Sequence, residues 1–346
     1  MNAPKKQKQA TRADVARLAG VSESTVSYAL TGVRSISEET RQRIDAAMKE
    51  LGYVPNAMAQ ALAGKKSGIL ALLFPVGERG FNETDFEYVQ AVIDAVAEEG
   101  YQLLLWPNAV EDIDSLKKIA SQGLVEGVLL MEVRADDPRV AVLTEAGMPF
   151  CLIGRTDDST QLTYVDADFS QWGPMAIRHL CDLGHKRVGF IGIGDELVAA
   201  GYGPAVRTES GMVEEARRAG VELRLEHVPA TIRAGRTAMT ALLDEFPGIT
   251  AILGFNEPAM IGALEVLAAR NLSIPEDISI LSFGLSEIAA EMTVPAQSTI
   301  GVEGKELGRI AGQYLVTRLN GDKKTVLQHL AVPHFVDRGS TASPTL

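Results

Sequence analysis

Hydrophobic positions follow two different patterns along the chain, with a change near residue 66. Before it, apolar residues recur every three or four positions, which is the spacing of amphipathic helices. After it, continuous apolar runs such as SGILALLFP and VEGVLLMEV alternate with amphipathic segments such as DFEYVQAVIDAVAEEG. Continuous apolar strands separated by helices are typical of parallel sheets covered on both faces. The pattern predicts an all-α N-terminal unit followed by an α/β core of two doubly wound parallel-sheet subdomains, with about five or six strands each.

The first predicted helix of the N-terminal unit starts after Thr11. Thr11 and Asp14 have the spacing of a capping box, with Asp in place of the usual Glu. Gly20 ends the helix because glycine adopts the positive φ that a sharp turn requires. The apolar face of this helix is expected to consist of Val15, Leu18 and Ala19.

A second and a third helix follow directly. Ser22 is expected to cap a helix from about Glu23 to Thr31, and Ser37 the next one. The first two helices then form a helix-turn-helix, in which the second enters the DNA major groove by its N-terminal end. The alternative is a small three-helix unit with a solvated polar face.

Polar side chains on the outer face of the second helix are suited to DNA. The hydroxyls of Ser22, Thr25 and Ser27 can reach phosphates, and Glu23, Ser24 and Tyr28 can reach base edges. The predicted DNA-contacting residues of this part of the chain are Thr11, Ser22, Glu23, Ser24, Thr25, Ser27 and Tyr28.

Charge divides the chain at the same place as the hydrophobic pattern. Residues 1–66 hold eleven Lys or Arg and six Asp or Glu, a net charge of +5, whereas the whole chain carries −12. A basic head on an acidic body predicts phosphate binding by the head alone. Residues 1–10 are expected to be a flexible basic tail rather than a signal peptide, and no apolar run reaches the length of a membrane span. We therefore expect a cytoplasmic protein.

The sequence offers little that indicates catalysis. It shows no recognisable Ser-His-Asp arrangement, metal-ligand cluster or phosphate loop, and GIGDEL matches a glycine-rich loop only loosely. Cys151 and Cys181 are expected to be buried reduced thiols. We predict no enzyme activity, no metal and no cofactor.

A short segment after Pro55 extends the N-terminal unit. Asn56–Gly64 is about two helical turns long, too short to be stable alone in water, so we expect it to fold only against a partner. With AGVSESTVS and ELGYVPN, this block resembles the N-terminal region of the lactose-repressor (LacI-type) family of bacterial transcription regulators. In that family the segment is a hinge helix, which pairs with its dimer mate in the minor groove and wedges a leucine into a base step. The resemblance implies DNA contacts by Leu62 at the wedge, Ala59 beside it and Asn56 at the backbone.

The rest of the chain resembles the effector-binding core of the same family, which has the periplasmic-binding-protein type I fold. The resemblance is carried by HLCDLGHKRVGFIG, VRTESGMVEEARRAG, TAILGFNEPAMIGALEVL and PAQSTI. It implies that the chain crosses between two subdomains three times. The expected divisions are a headpiece at 11–55, a hinge and linker at 56–66, and a core at 67–346 with an N-subdomain (67–168 and 299–330) and a C-subdomain (169–298 and 331–346).

A ligand is expected in the cleft between the subdomains, at the carboxyl ends of the strands. The resemblance places Arg207 at a pocket arginine and Asn256 at the start of an Asn-Asp pair, whose second member here is Glu257. The other candidates follow strand ends or begin the crossover helix. The predicted effector-binding residues are Glu132, Arg134, Arg155, Asp168, Arg207, Asn256 and Glu257. A surface salt bridge or a helix cap is the alternative for each.

The chain departs from the family pattern at three informative places. Many relatives carry Arg at the position of Tyr28, so the operator sequence cannot be carried over. Relatives often carry Asp at the positions of Gly154 and Gly284, where it accepts sugar hydroxyls. The pocket is therefore expected to be less acidic, with its arginines dominant, which leaves a phosphorylated or acidic effector open beside a neutral sugar.

Together these features predict a sequence-specific DNA-binding transcriptional regulator, a repressor controlled by a sugar or sugar derivative. It is expected to act as a homodimer on near-palindromic double-stranded operator DNA, with no membrane partner. The terminal STASPTL has no leucine heptads, so no tetramer-forming helix is expected. The alternatives are a solute-binding protein of periplasmic type and, third, a sugar-processing enzyme with a DNA-binding appendage.

Overall fold

The computed structural model of the protein describes residues 10–31, 34–53, 67–74, 82–107, 110–321 and 325–345. The chain divides into two compact units, one made of residues 1–69 with 121–126 and the other of the remaining residues. The predicted hinge segment, with Asn56, Ala59 and Leu62, lies outside the described residues, as does the predicted tail up to residue 9.

The first unit contains three helices, α1 (Arg12–Ala19), α2 (Glu23–Thr31) and α3 (Glu38–Leu51). The Thr11 hydroxyl accepts a hydrogen bond from the Asp14 N–H, and the Asp14 carboxylate accepts one from the Thr11 N–H, so the predicted capping box is present. Gly20 ends α1 at a φ of 64°. These helix ends lie where the sequence predicts them because each is fixed by a local side chain or a glycine.

A small apolar core holds these three helices together. Val15, Val26 and Ile44 are each 0% exposed, and Ala16, Ala19 and Ala47 pack around them. The expected place of Leu18 in this core is wrong, because its side chain is 45% exposed. At about 100° per residue, Val15, Ala16 and Ala19 share one face of α1, and Leu18 lies on its flank.

In the second unit, the first subdomain is built on a six-stranded sheet with the order β11-β5-β4-β3-β1-β2. Its strands are β1 (Ile69–Phe74), β2 (Gln102–Pro107), β3 (Gly127–Leu130), β4 (Phe150–Ile153), β5 (Tyr164–Ala167) and β11 (Gln328–Ala331). β3 pairs in parallel with β1 and β4, and β5 pairs in parallel with β4 and β11. The associated helices are α4 (Glu83–Glu98), α5 (Ile113–Ser121), α6 (Pro138–Glu145) and α13 (Gly304–Leu319).

The second subdomain has its own six-stranded sheet, with the order β12-β10-β9-β8-β6-β7. Its strands are β6 (Arg187–Ile193), β7 (Glu222–Val228), β8 (Ala251–Gly254), β9 (Ser279–Phe283), β10 (Ser298–Gly301) and β12 (His334–Val336). β12 is antiparallel to β10, whereas the pairs among β6 to β10 are parallel. The associated helices are α7 (Trp172–Leu183), α8 (Asp195–Ala199), α9 (Gly203–Ala219), α10 (Ile232–Glu245), α11 (Glu257–Ala269) and α12 (Glu287–Glu291), with a 3-10 turn at Phe169–Gln171 before α7.

The chain passes between the two sheets after β5, after β10 and after β11. The second and third passages lie slightly later than expected. Thr299 was expected in the first subdomain, but it pairs with Ser282 of β9 in the second sheet. Ala331 was expected in the second subdomain, but it pairs with Ala167 of β5 in the first. The subdomain boundaries are set by strand pairing, because each strand continues in its sheet up to the last residue that pairs with a neighbouring strand.

Both cysteines are free thiols, Cys151 buried in β4 and Cys181 partly buried in α7. Burial raises the pKa of the Cys151 thiol, so this group is protonated and unreactive at neutral pH. Within the described part of the chain, no helix is both long enough and apolar enough to cross a lipid bilayer.

Candidate functional site

A cluster of three hydroxyls forms the N-terminal end of α2. The Ser22 hydroxyl accepts a hydrogen bond from the Thr25 N–H at 3.1 Å, and so caps the helix as predicted. It also lies 2.7 Å from the Ser24 hydroxyl and 2.8 Å from the Thr25 hydroxyl. Hydroxyls at a helix N-terminus, where the helix dipole is positive, are suited to a phosphate oxygen.

The other predicted DNA-contacting side chains of the headpiece are placed as follows. Glu23 is exposed and its carboxylate lies 3.7 Å from the Arg12 Nε, while Ser27 and Tyr28 are partly buried along α2. Thr11 is exposed but committed to its capping box, which lowers the pKa of Asp14 mainly through the Thr11 hydroxyl. The polar face of α2 is therefore accessible for DNA at its first turn.

A cavity lies between the two sheets of the second unit, at the carboxyl ends of their strands. It encloses about 990 Å³ of empty space, counted with its open mouth. Its lining includes residues at the carboxyl ends of five strands: Met131–Val133 after β3, Gly154 after β4, Asp166 in β5, Phe255 after β8 and Gly284 after β9. Both subdomains contribute, so a bound molecule contacts both at once.

Hydrogen bonds between the subdomains close this cleft on one side. The Thr84 hydroxyl, in the first turn of α4, donates to the Glu257 carboxylate at 3.3 Å and accepts from the Ser286 N–H at 3.0 Å. The Ser286 hydroxyl also donates to the carboxylate of Glu83. The first turn of α4 is thus joined to the start of α11 and of α12.

A second set of hydrogen bonds closes the opposite side. The Tyr202 hydroxyl donates to the Glu132 carboxylate at 3.1 Å. The Ala135 N–H donates to the Gly201 carbonyl at 2.8 Å, and Arg134 forms a backbone bridge with Tyr202. The structure therefore has the subdomains in direct contact around the cavity.

Glu132 has an unusual backbone conformation, with a φ of 55°. A non-glycine residue in this left-handed region costs on the order of 1–2 kcal/mol. The buried Arg139 side chain stabilises the loop by donating to the carbonyls of Met131 at 3.0 Å and Glu132 at 3.1 Å. Arg139 in turn pairs with the buried Asp137; burial opposes ionisation of Asp137, but hydrogen bonds from Arg139 keep its pKa below the ordinary value. This support holds the Glu132 side chain on the cavity lining.

Three of the seven predicted effector residues line the cavity: Glu132, Asn256 and Glu257. Asn256 is 5% exposed, and its side chain is engaged structurally. Its Nδ2 donates to the Gly192 carbonyl at 3.1 Å and the Val228 carbonyl at 2.9 Å, while its Oδ1 caps α11. This side chain anchors the start of α11 to the neighbouring strands.

The other four predicted effector residues are not among the described residues of the lining. Each is committed to a neighbour instead. Arg134 pairs with Glu111 at 2.6 Å, and Arg207 pairs with Asp157 at 3.1 Å. Arg155 lies 3.3 Å from the Asp166 carboxylate and 3.8 Å from that of Asp168. Asp168 itself accepts hydrogen bonds from Ser170 and Gln171. None of the three arginines is among the described lining residues, and each is paired with a local carboxylate.

The lining residues that the sequence did not indicate include Asp166 on β5 and Trp172 at the start of α7. Each of these two is 3% exposed. Burial raises the pKa of Asp166 to about 7, against the opposing effect of the guanidinium groups of Arg155 and Arg207. A carboxylate inside the apolar strand YVDA was the available signal, because buried aspartate is rare without a partner or a function.

The two glycines at the family's carboxylate positions are tightly packed and have a positive φ. A Cβ on Gly154, at a φ of 119°, would lie 3.0 Å from the Val133 side chain. A Cβ on Gly284, at a φ of 65°, would lie 3.0 Å from the Trp172 ring. Tight packing and a positive φ at both positions thus disfavour the side chains that the resemblance led us to look for.

The described lining is acidic and aromatic. Its charged members are Asp85, Glu132, Asp166 and Glu257, and no lysine or arginine occurs among the described lining residues. Aromatic rings from Tyr88, Phe169, Trp172, Phe255 and Phe283 form much of the remainder. Carboxylates accept hydrogen bonds from hydroxyls, and aromatic faces pack against apolar C–H surfaces. Elsewhere in the described residues no group of three His, Cys, Asp or Glu side chains could hold a metal ion.

A helix-turn-helix headpiece joined to a two-subdomain core with an interdomain cleft defines the class of effector-responsive DNA-binding regulators, and comparison with known proteins agrees. Residues 11–56 match the family model "Bacterial regulatory proteins, lacI family", and residues 177–341 match "Periplasmic binding protein-like domain". The HTH-type transcriptional regulator CelR of Thermobifida fusca is 30% identical over 336 residues, covering 94% of this chain and 96% of its own. The chain belongs to the LacI family and is a DNA-binding transcriptional regulator.

Solved structures agree with this assignment. A "transcriptional regulator CelR-cellobiose complex" is 28% identical, with a TM-score of 0.68 over 96% of this chain and 99% of that one. The lac repressor dimer bound to operator and the anti-inducer ONPF has a TM-score of 0.80 over 97% of this chain and 100% of that one. At 23% identity, this second structure supports the fold alone.

Proposed function

We propose that the protein is a repressor whose operator affinity is controlled by a neutral sugar bound in the interdomain cleft. The observation that carries this proposal is the acidic and aromatic character of the described cavity lining, on which carboxylates can accept sugar hydroxyls. A relative crystallised as a cellobiose complex supports the same class of effector. The role we assign to the chain is regulatory binding rather than catalysis, exerted on chromosomal DNA in the cytoplasm.

A phosphorylated effector fits this lining less well. A phosphate among the carboxylates of Asp166, Glu132 and Glu257 would be repelled, and no arginine is among the described lining residues. Isothermal titration with cellobiose, maltose, glucose and glucose 6-phosphate tests this proposal. We expect a neutral sugar to bind and the phosphate to be rejected. Binding of the phosphate in preference to every neutral sugar would contradict the assignment.

DNA recognition is assigned to the first turn of α2, where the hydroxyls of Ser22, Ser24 and Thr25 are suited to positioning on phosphates. Ala59 and Leu62 are proposed to contact the minor groove, and Asn56 the DNA backbone, on the strength of the family resemblance. Leu62→Ala is expected to weaken specific operator binding more than nonspecific binding, because the wedge is lost while phosphate contacts remain. Equal losses in a gel-shift titration with operator and random DNA would count against this role.

A homodimer is proposed because one headpiece covers only one half-site of a two-fold symmetric operator. Exposed apolar side chains on the second subdomain offer a surface for it: Ile288, Met292 and Val294 are 58%, 72% and 96% exposed. A cluster of this kind commonly marks a protein contact. Light scattering on the full-length protein is expected to give the mass of two chains at micromolar concentration, and Val294→Lys to lower it.

A further inference from the structure

Two residues of the cavity lining each carry a buried polar atom that lacks a hydrogen-bond partner among the described residues. The two atoms are Oδ2 of Asp166 and the indole Nε1 of Trp172. Buried polar groups in native proteins are nearly always paired, so an unpaired one on a cavity wall calls for an explanation. One atom is an acceptor and the other can only donate, so a molecule that carries hydroxyl groups can satisfy both.

Asp166 is held so that only one of its oxygens is used within the protein. Oδ1 accepts the Ala167 N–H at 2.9 Å. The Nε of Arg155 lies 3.3 Å from Oδ2 but does not form a hydrogen bond with it, and the same guanidinium also faces Asp168. Arg155 therefore compensates part of the charge and leaves the acceptor capacity of Oδ2 unused.

Asp166 also occupies a distinctive place in the sheet. Ile153 of β4 pairs with Val165 of β5, and the Gly154 N–H donates to the Val165 carbonyl. Asp166 therefore lies beside Gly154, where the positive φ and the close approach of Val133 disfavour a side chain. The neighbouring strand thus supplies a carboxylate at the place where β4 has none.

Trp172 is fixed by aromatic neighbours that all belong to the second subdomain. Its ring centroid is 4.4 Å from that of Phe169 and 6.2 Å from those of Phe255 and Phe283. This packing restrains the indole without providing an acceptor for its N–H. An effector oxygen placed against Trp172 would supply that acceptor.

We propose that Asp166 and Trp172 are the specificity-determining pair of the cleft, with Asp166 Oδ2 accepting an effector hydroxyl and Trp172 Nε1 donating to an effector oxygen. This inference rests on the proposed function and names the two residues that recognise the sugar. It requires a neutral, hydroxylated effector, and it assigns recognition of that effector to residues other than Asp168 and Arg207.

Asp166→Asn and Asp168→Asn form a matched pair for the test. Both aspartates face Arg155, but only Asp166 lines the cavity. The probes are cellobiose, maltose and glucose, titrated calorimetrically into the full-length protein. For whichever sugar binds the wild type, we expect Asp166→Asn to weaken binding roughly 10- to 100-fold, the range for a hydrogen bond to a charged group. Asp168→Asn is expected to stay within about threefold.

Trp172 is tested through its fluorescence, because the chain has only two tryptophans. Trp106→Phe removes the other one, which is not among the described lining residues, and leaves Trp172 as the sole reporter. The bound sugar is expected to change its emission. Trp172→Phe keeps a ring and removes only the N–H, and it should weaken the same sugar about five- to tenfold.

The outcomes separate this inference from the function on which it rests. If none of the three sugars binds the wild type, the sugar-effector function and this inference both fail. If a sugar binds the wild type, Asp166→Asn and Trp172→Phe equally well, the function stands and this inference is refuted. Operator binding by each variant controls for folding, and Asp166→Ser replaces Asp166→Asn if the latter does not fold.

Discussion

Tyr202→Phe gives the sharpest view of how closure of the cleft supports effector binding. The substitution removes only the hydroxyl that donates across the cleft to the Glu132 carboxylate at 3.1 Å. A hydrogen bond to a charged group contributes about 1.5–3 kcal/mol. Both residues are partly exposed, so water can replace part of the lost hydrogen bond, and we expect a net loss of about 1 kcal/mol. If the cleft is open in most molecules without effector, the whole loss of about 1 kcal/mol appears in the free energy of sugar binding. Sugar affinity then falls roughly fivefold.

The opposite side of the cleft provides an independent second perturbation. Thr84→Val keeps the side-chain shape but removes the hydroxyl that joins α4 to Glu257 and Ser286. A similar loss of about 1 kcal/mol is expected. Because the two sides share no partner, the losses should add, and the double variant should bind sugar roughly 25-fold more weakly than wild type.

Calorimetric titration of the sugar into each variant measures these effects. Tyr314→Phe is the matched control, because Tyr314 lies on α13 and is not among the described cavity residues. Unchanged affinity in both single variants would refute the idea that these contacts stabilise the binding-competent state. So would a loss of the same size in Tyr314→Phe.

Three further predictions follow from the same contacts. Sugar affinity should fall by up to tenfold per pH unit as the pH drops below about 7. Burial raises the pKa of Asp166 to about 7, and protonation removes its charged acceptor. A wild-type sugar affinity that stays constant from pH 6 to 8 would contradict this. Burial lowers the pKa of His185, so the unfolded chain binds a proton at this histidine at a higher pH than the folded chain does. The free energy of unfolding should therefore fall as the pH drops through about 6.5. Urea unfolding at several pH values should show a weaker pH dependence for His185→Gln. Gly262→Ala should lower the melting temperature by several degrees or prevent folding, because the added Cβ would lie 1.9 Å from the Ile232 carbonyl oxygen; an unchanged calorimetric transition would argue against the close helix contact.

The sequence predicted best those features that depend on neighbours along the chain. The caps at Thr11, Ser22 and Ser37 lie where expected, because each is formed by residues three positions apart. The alternation of strands and helices likewise follows from local hydrophobicity. The subdomain boundaries shifted by a few residues, since the ladder partners of Thr299 and Ala331 come from distant strands.

The cleft residues were harder to predict because their roles depend on contacts that are distant in sequence. Arg207 was expected to bind the effector, but it pairs with Asp157, fifty positions away in the chain. A strand end indicates that a residue is near the cleft, but not whether its side chain is already paired. Asp166 and Trp172 gain significance only when the burial of their unpaired atoms is known.

The most direct test of the account is whether sugar and operator binding are coupled. Operator is obtained by selecting sites from random DNA with the full-length protein, and its affinity is measured by fluorescence anisotropy with and without the sugar. We expect the sugar to change operator affinity by roughly 5- to 150-fold, and operator to change sugar affinity by the same factor, as linkage requires. Asp166→Asn should keep the sugar-free operator affinity and lose the response. A sugar affinity that is the same with and without saturating operator would contradict the central claim.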